Sequence, residues 1–288
     1  MTFEHSTLGA AYRELRKRRG LAIKQVRGDL DASAVSHFER DSADIRMTNL
    51  VALLAPTGMP VDEFTQLLPA ATSSVAATMR QLSAAYDRGD ATAIAAMLSN
   101  YADAQPATPP RYLIRLIVAS CYAELAQQPT QLAAADAEFV SDYLMQDGRW
   151  FGLEYIAFGN LAYSLPPQTN TRLLAKMLRE YRAFHLSSYT PLFTAAVYNL
   201  AVNQLEAGDY AETRRLLAAA EPDITDSSDL YRRIHFAFLR LLTPWLESRQ
   251  AQDAAALNQF LTVTALIDPT LATKFRTWQT QLVARHNG

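Results

Sequence analysis

Apolar residues recur three and four positions apart along almost the whole chain, and strand-like alternation bounded by turn residues is hard to find. Near the N-terminus, Leu8, Tyr12 and Leu15 fall on one helical face that ends at Gly20. Val26 and Leu30 repeat the pattern, as do Val35 with Phe38, and Leu50 with Leu53 and Leu54. Four short stripes of this kind predict short helices around one small core. Asp31 stands where an N-cap belongs, its carboxylate expected to accept from the free amides of a helix running from Ala32 to about Arg40. Glycines and prolines place further breaks near Pro60, Pro69, Gly89, Pro106 to Pro110, Pro129, Gly148, Pro166, Pro191, Gly208, Pro222 and Pro269. The intervals have the lengths of ordinary helices, so the expected class is all-α.

The small polar stretch "PAATSSVAAT", Pro69 to Thr78, predicts a linker, with helix compatible in its second half. The expected division is therefore 1–68, a five-helix unit; 69–78, the linker; and 79–288, a larger helical unit. Beyond the linker the helices lengthen and pair. "AVYNLAVNQLEAGDYAETRRLLAAAEP", Ala196 to Pro222, resembles a tetratricopeptide repeat. Leu200 and small Ala201 precede the turn Gly208-Asp209-Tyr210, and a second helix is closed by Ala220 and Pro222. Thr213 stands where the pattern prefers alanine. "LSAAYDRGDATAIAAML" echoes it, with Gly89-Asp90 in the same turn. Such pairs bury their faces by stacking, and the expected solenoid curves around a concave groove.

Composition changes this picture little: 288 residues with 49% hydrophobic content suffice for two cores. Charge changes it more. The net charge is −2, yet Arg13, Arg16, Lys17, Arg18, Arg19, Lys24 and Arg27 crowd the N-terminal part, which makes that end the one suited to nucleic acid. A lone cysteine, Cys121, excludes an intramolecular disulfide, and it is expected to be a small core residue. Glu4 and His5 interrupt the place of a leader's apolar segment, and Arg115 and Glu124 break the apolar run around "LIRLIVASCYAEL". A cytoplasmic protein without membrane association is expected. No phosphate-cradling glycine loop, paired-histidine metal motif or nucleophile elbow occurs, so neither enzyme activity nor any cofactor or metal is expected.

Two short helices with a tight connection place the second across the first, where it can enter the major groove. With Val35 and Phe38 inward, Ala32, Ser33, Ser36 and His37 face outward. Ser33 and His37, four apart with hydrogen-bonding heads, are the candidates for base readout. Arg13 in the basic run, Lys24, Arg40 and Arg46 are the candidates for phosphate contact. Of five histidines only His37 has this context. His5 and His286 are terminal, and His185 and His235 suit structural roles.

The segment "LGAAYRELRKRRGLAIKQVRGDLDASAVSHFERDSADI" resembles the helix-turn-helix domain of the Rgg/MutR regulators. It shares the helix end Arg16 to Gly20, the run Ser36-His37-Phe38-Glu39 and the exit Ala43-Asp44-Ile45. "DYLMQDGRWFGLEYIAFGN", Asp142 to Asn160, looks like that family's helical-repeat segment. The resemblance implies a structural pair between Arg16 and Glu39, a homodimer on promoter DNA, and a short signalling peptide, of the quorum-sensing type, bound in the repeat groove. Two departures stand out: Asp41 replaces a small or glycine residue, with strain expected at that turn, and no cysteine is available here for the intersubunit disulfide of some relatives.

For the peptide, the candidates are Asn199 and Asn203, which share a helix face and offer both donor and acceptor, with Asn160, Arg111 and Arg115 beside them. Their alternative is inter-repeat hydrogen bonding or solvated surface. Two other functions remain open at this stage: a ligand-independent regulator with a structural repeat domain, and a repeat-based protein-interaction adaptor.

Overall fold

Tyr12 shows why the first segment folds as it does. Its ring is fully buried, tilted against Phe38 at 5.8 Å and edge-on to Phe64 at 6.4 Å, and its hydroxyl donates to the Leu53 carbonyl at 3.1 Å. Burial pushes the phenol pKa well above its ordinary value. In this computed structural model, which describes residues 7–65, 67, 75–184, 186–225 and 229–286, the chain divides into two units, 1–80 and 81–288.

The first unit contains α1 (Leu8–Arg18), α2 (Ile23–Val26), α3 (Ala32–Phe38), α4 (Met47–Leu54) and α5 (Val61–Thr65), with one 3-10 turn at Ala55–Thr57. The stripes converge. Leu15, Val26, Val35, Phe38, Leu50, Leu53, Leu54 and Phe64 close around Tyr12, and Leu8 and Leu30 pack against that core. Helix α1 starts where Thr7 Oγ1 accepts from Ala10 N, and the chain leaves it through Gly20 at φ +68°.

Helix α3 differs from its expected form in two respects. Asp31 occupies the N-cap position, but its exposed carboxylate caps nothing; only its carbonyl enters the helix, accepting from Val35 N at 3.2 Å. The helix also ends at Phe38 rather than near Arg40, because Asp41 turns the chain at φ +58°, a left-handed conformation that a short polar residue tolerates. Thr7 Oγ1 donates to Asp41 Oδ2 at 2.7 Å and ties this turn to the start of α1.

The chain continues in α6 (Val75–Asp87), α7 (Ala91–Ser99), α8 (Pro109–Leu125), α9 (Ala134–Met145), α10 (Gly152–Leu161), α11 (Pro167–Ala183), α12 (Thr190–Glu206), α13 (Tyr210–Thr225), α14 (Leu230–Ser248), α15 (Ala251–Ile267) and α16 (Pro269–His286). Residues 69–74 of the expected linker lie outside the described residues, and 75–78 are helical. No strand occurs among the described residues, and the fold is all-α.

Helices α8, α10, α12, α14 and α16 pack one against the next in a row, with α13 and α15 beside them. The row curves. Trp278 Nε1 of α16 donates to Glu206 Oε1 at the end of α12 at 3.1 Å, and Lys274 Nζ of α16 donates to Asp87 Oδ1 of α6 at 3.5 Å.

The repeat turn is built twice. Gly89 and Gly208 adopt φ +66° and +78°, and the aspartates after them accept from Ala93 N and Glu212 N, both at 2.9 Å. Thr213, fully buried in place of the alanine, satisfies its hydroxyl on the Asp209 carbonyl at 2.8 Å. Pro222 does not close α13, contrary to expectation. The helix runs on to Thr225, anchored by buried Ile224 and by Asp223, which accepts from Tyr181 at 2.5 Å. The break between α14 and α15 falls at Arg249, left-handed at φ +55° without a glycine, its guanidinium stacked 4.7 Å over Trp245.

Candidate functional site

Two residues of α3 face the core and the rest face out. Val35 and Phe38 are buried, Ala32, Ser33, Ala34 and His37 are exposed, and Ser36 is half-buried. Small residues lead, so no bulky group stands between the backbone and a surface laid against it. Next to this face, Arg13, Lys17 and Arg40 line a cleft of about 750 Å³ with Arg18, Glu14, Glu39 and Asp41. Glu14 pairs with Arg18 and Glu39 with Arg16, while Asp41 accepts from the Thr7 hydroxyl, so one carboxylate stands against three cations. Arg13, Lys17 and Arg40 have no acidic partner among the described residues, and the cleft is left with net positive charge. Lys24 is exposed on α2, and Arg46 is exposed at the N-cap position of α4.

Arg16 and Glu39 hold α1 and α3 together from beneath. The guanidinium grips both carboxylate oxygens, Nε to Oε1 at 2.5 Å and Nη2 to Oε2 at 2.7 Å, and Nη1 donates to the Leu21 carbonyl at 2.6 Å. The hydrogen bonds to Glu39 raise the arginine pKa above its already high ordinary value. Gly9 brings the helices closer than any other residue would. A Cβ there would stand 1.9 Å from the Phe38 carbonyl oxygen.

In the second unit, the segment around Trp150 is a packing device. Trp150 Nε1 donates to the Leu144 carbonyl at 3.1 Å, and its ring meets Tyr155 and Phe158 edge-on at 5.5 and 5.7 Å. Glu154 accepts from Phe151 N at 2.8 Å and from Tyr143 Oη at 3.0 Å, which fixes the start of α10. Gly159 lets α12 approach α10; a Cβ there would lie 2.8 Å from Ala196 Cα. Beside it, Asn199 Nδ2 donates to the Gly159 carbonyl at 3.1 Å, one of the last carbonyls of α10.

A family model described as the HTH-type transcriptional regulator Rgg, C-terminal domain, matches residues 97–276. The chain belongs to the Rgg family of transcriptional regulators. Solved structures share the fold of this Rgg-family chain over nearly its whole length. A Listeria monocytogenes EGD-e protein described as a transcriptional regulator superposes with a TM-score of 0.83 at 16% identity, covering 98% of this chain and 99% of its own. The SHP pheromone receptor Rgg2 of Streptococcus dysgalactiae gives 0.77 at 18%, covering 96% and 99%, and PrgX in complex with cCF10 gives 0.75 at 16%, covering 96% and 92%. At these identities the likeness is one of fold. No curated protein sequence matches the chain.

In this Rgg-family fold the candidate residues divide. Arg13, Ala32, Ser33, Ser36, His37 and Arg40 lie on α1 and α3 or at the end of α3, with Lys24 and Arg46 on the neighbouring elements. The peptide candidates are less uniform. Arg111 donates to Asp103 Oδ1 at 2.6 Å and to the Asn100 carbonyl at 3.1 Å, and Asn160 Nδ2 bonds back to the Ile156 carbonyl at 2.7 Å. With Asn199, that makes three donors committed inside the protein. Arg115 lies over the Tyr112 ring at 5.6 Å, and the Asn203 amide has no side-chain partner among the described residues.

Two neighbours of these candidates are not marked by the sequence. Lys17 sits in a run of four cations, and nothing in that run tells which of them faces the cleft; Ser42 comes to lie 3.1 Å from His37 Nδ1 through a turn whose geometry no sequence pattern announces. Burial pushes the Cys121 thiol pKa up to about 12, which fits a packing residue. His5 and His185 lie outside the described residues. No group of three metal-binding side chains occurs, and no helix is long and apolar enough to cross a membrane, both among the described residues.

Proposed function

We propose that this protein is a cytoplasmic homodimer that binds promoter DNA through α3 and is controlled by a short signalling peptide held in the curved helix row of its second unit. The observation that carries the DNA reading is the exposed α3 face, small residues leading and Ser33 and His37 following, beside the unpaired cations Arg13, Lys17 and Arg40. Cations reach phosphate while the helix meets base edges. The peptide reading is supported by the family and by the fold shared with a pheromone receptor and with PrgX bound to cCF10. A peptide changes output only if it binds one state of the dimer better than another.

The DNA reading is tested with a randomised duplex library at two salt concentrations. A regulator enriches a sequence motif and loses affinity steeply as salt rises, with a slope that becomes shallower by about one for each phosphate-contacting cation replaced. An adaptor enriches none. The peptide is sought by mass spectrometry of protein purified from its host. A ligand-independent regulator is the second reading, and the observation favouring it is that Arg111, Asn160 and Asn199 already have intramolecular partners.

A further inference from the structure

Beyond α3 the left-handed turn at Asp41 folds the chain back so that Ser42 N donates to the His37 carbonyl at 3.0 Å. This puts the Ser42 hydroxyl against the His37 side chain. Its Oγ donates to the same carbonyl at 2.9 Å and lies 3.1 Å from His37 Nδ1. A serine hydroxyl carries one proton, and the carbonyl oxygen can only accept. Were that proton turned to Nδ1, two oxygens 2.9 Å apart would face each other with no proton between them. With the hydroxyl proton on the carbonyl and a ring proton on Nδ1, both contacts are hydrogen bonds. The neutral imidazole is thereby held as the Nδ1–H tautomer. Nε2, on the opposite side of an exposed ring, is left bare and has no partner among the described residues.

We propose that Ser42 makes neutral His37 a hydrogen-bond acceptor in the major groove, so that the protein selects an exocyclic amino group, adenine N6 or cytosine N4, at the base His37 meets. Guanine and thymine present only acceptors and a methyl group on that edge, and a bare nitrogen gains no hydrogen bond from them. The opposite tautomer would present N–H and favour guanine. The proposal rests on the reading of α3 as the DNA-reading helix. His37 makes the contact, and Ser42 is its positioning residue.

The full chain is tested at pH 8, above the ordinary imidazole range, with a randomised duplex library as the probe and with long-range ¹H–¹⁵N spectra of its histidines, His37 being assigned by its loss in His37→Ala. The spectrum of the wild type should show the Nδ1–H pattern for His37. Ser42→Ala should lose it, and Ser42→Thr, which keeps the hydroxyl, should restore it. In the library, one position per half-site should carry adenine or cytosine over guanine and thymine by on the order of tenfold. His37→Ala should abolish that preference and leave the other positions intact, and Ser42→Ala should relax the same position alone.

An Nε2–H wild-type spectrum overturns the proposal whatever the DNA result. So does a His37-dependent position that prefers guanine or thymine, or a His37→Ala variant that weakens all sequences equally. If the wild type selects no motif at all, the DNA reading itself fails and takes this proposal with it; an Nδ1–H spectrum in that case separates a sound hydrogen-bond assignment from a mistaken function.

Discussion

Arg16 and Glu39 are 7% and 5% exposed, so each would be a buried charge without the other. Glu39→Ala should therefore cost about 3–5 kcal/mol in urea denaturation of the first unit, while replacing both residues with apolar ones of similar volume should cost much less. Equal losses in the two variants would show that packing, not charge pairing, is at stake. Gly9→Ala should also destabilise this unit by about 1–3 kcal/mol, because the added carbon meets a backbone oxygen that cannot rotate away. The two sites differ in legibility. The arginine–glutamate pair was implied by the resemblance of motifs that contain both residues. Nothing in the sequence marks Gly9, since its requirement comes from a carbonyl some thirty positions further along the chain.

At the scale of helices, the contact between α10 and α12 decides what Asn199 is for. Its amide satisfies an end carbonyl of α10 beside the close approach at Gly159, so Asn199→Ala should lower stability by about 1–3 kcal/mol, the cost of a carbonyl left without a partner. Asn203→Ala, one turn further on, should leave the melting temperature unchanged. If peptide binding is then lost in Asn203→Ala alone, the groove reading gains support on that residue. A melting temperature lowered equally by both substitutions would overturn this division of roles. The spacing of the two asparagines put them on one face, and it could not tell that one of them faces a carbonyl 40 residues away. Likewise Pro222 reads as a terminator, but the extra turn of α13 is held by Tyr181, a residue of another helix.

Across the whole molecule, the apolar residues left outside any core are where the proposed dimer is tested. Leu266 is 84% exposed on α15, with Val263 and Ile267 also exposed on the same helix, and a helix-turn-helix reads enough bases only as a symmetric pair. Leu266→Glu should shift a dimer towards monomer in light scattering at micromolar concentration; an unchanged dimer would place the interface elsewhere. A second property belongs to the second unit as a body. His235 of α14 is packed among Tyr198, Tyr231 and Phe275, with Asp229, Asp87 and Lys274 around it, and burial lowers its pKa below the usual imidazole value. The unfolded chain then binds this proton more readily. Stability from this site is complete above about pH 6.5 and declines as pH falls from there towards the depressed folded value. The melting temperature should drop between pH 7 and 5, and less steeply in His235→Gln. Parallel curves for the two proteins would remove His235 from the account.

The sequence by itself determined the helical class, the inward faces of α1, α3 and α4, and both Gly-Asp repeat turns. Each of these depends on residues within a few positions of one another, and a period of 3.6 or a positive φ reads directly from that spacing. The tertiary structure alone decided which side chains are already occupied. Arg111, Asn160 and Asn199 have donors engaged inside the fold, Asp31 caps nothing, and Ser42 Oγ lies against His37 Nδ1. The physical reason is that a hydrogen bond needs two partners within about 3 Å at a suitable angle. Periodicity says which way a side chain points, while the partner waiting there is set by how distant segments and sharp turns come to rest.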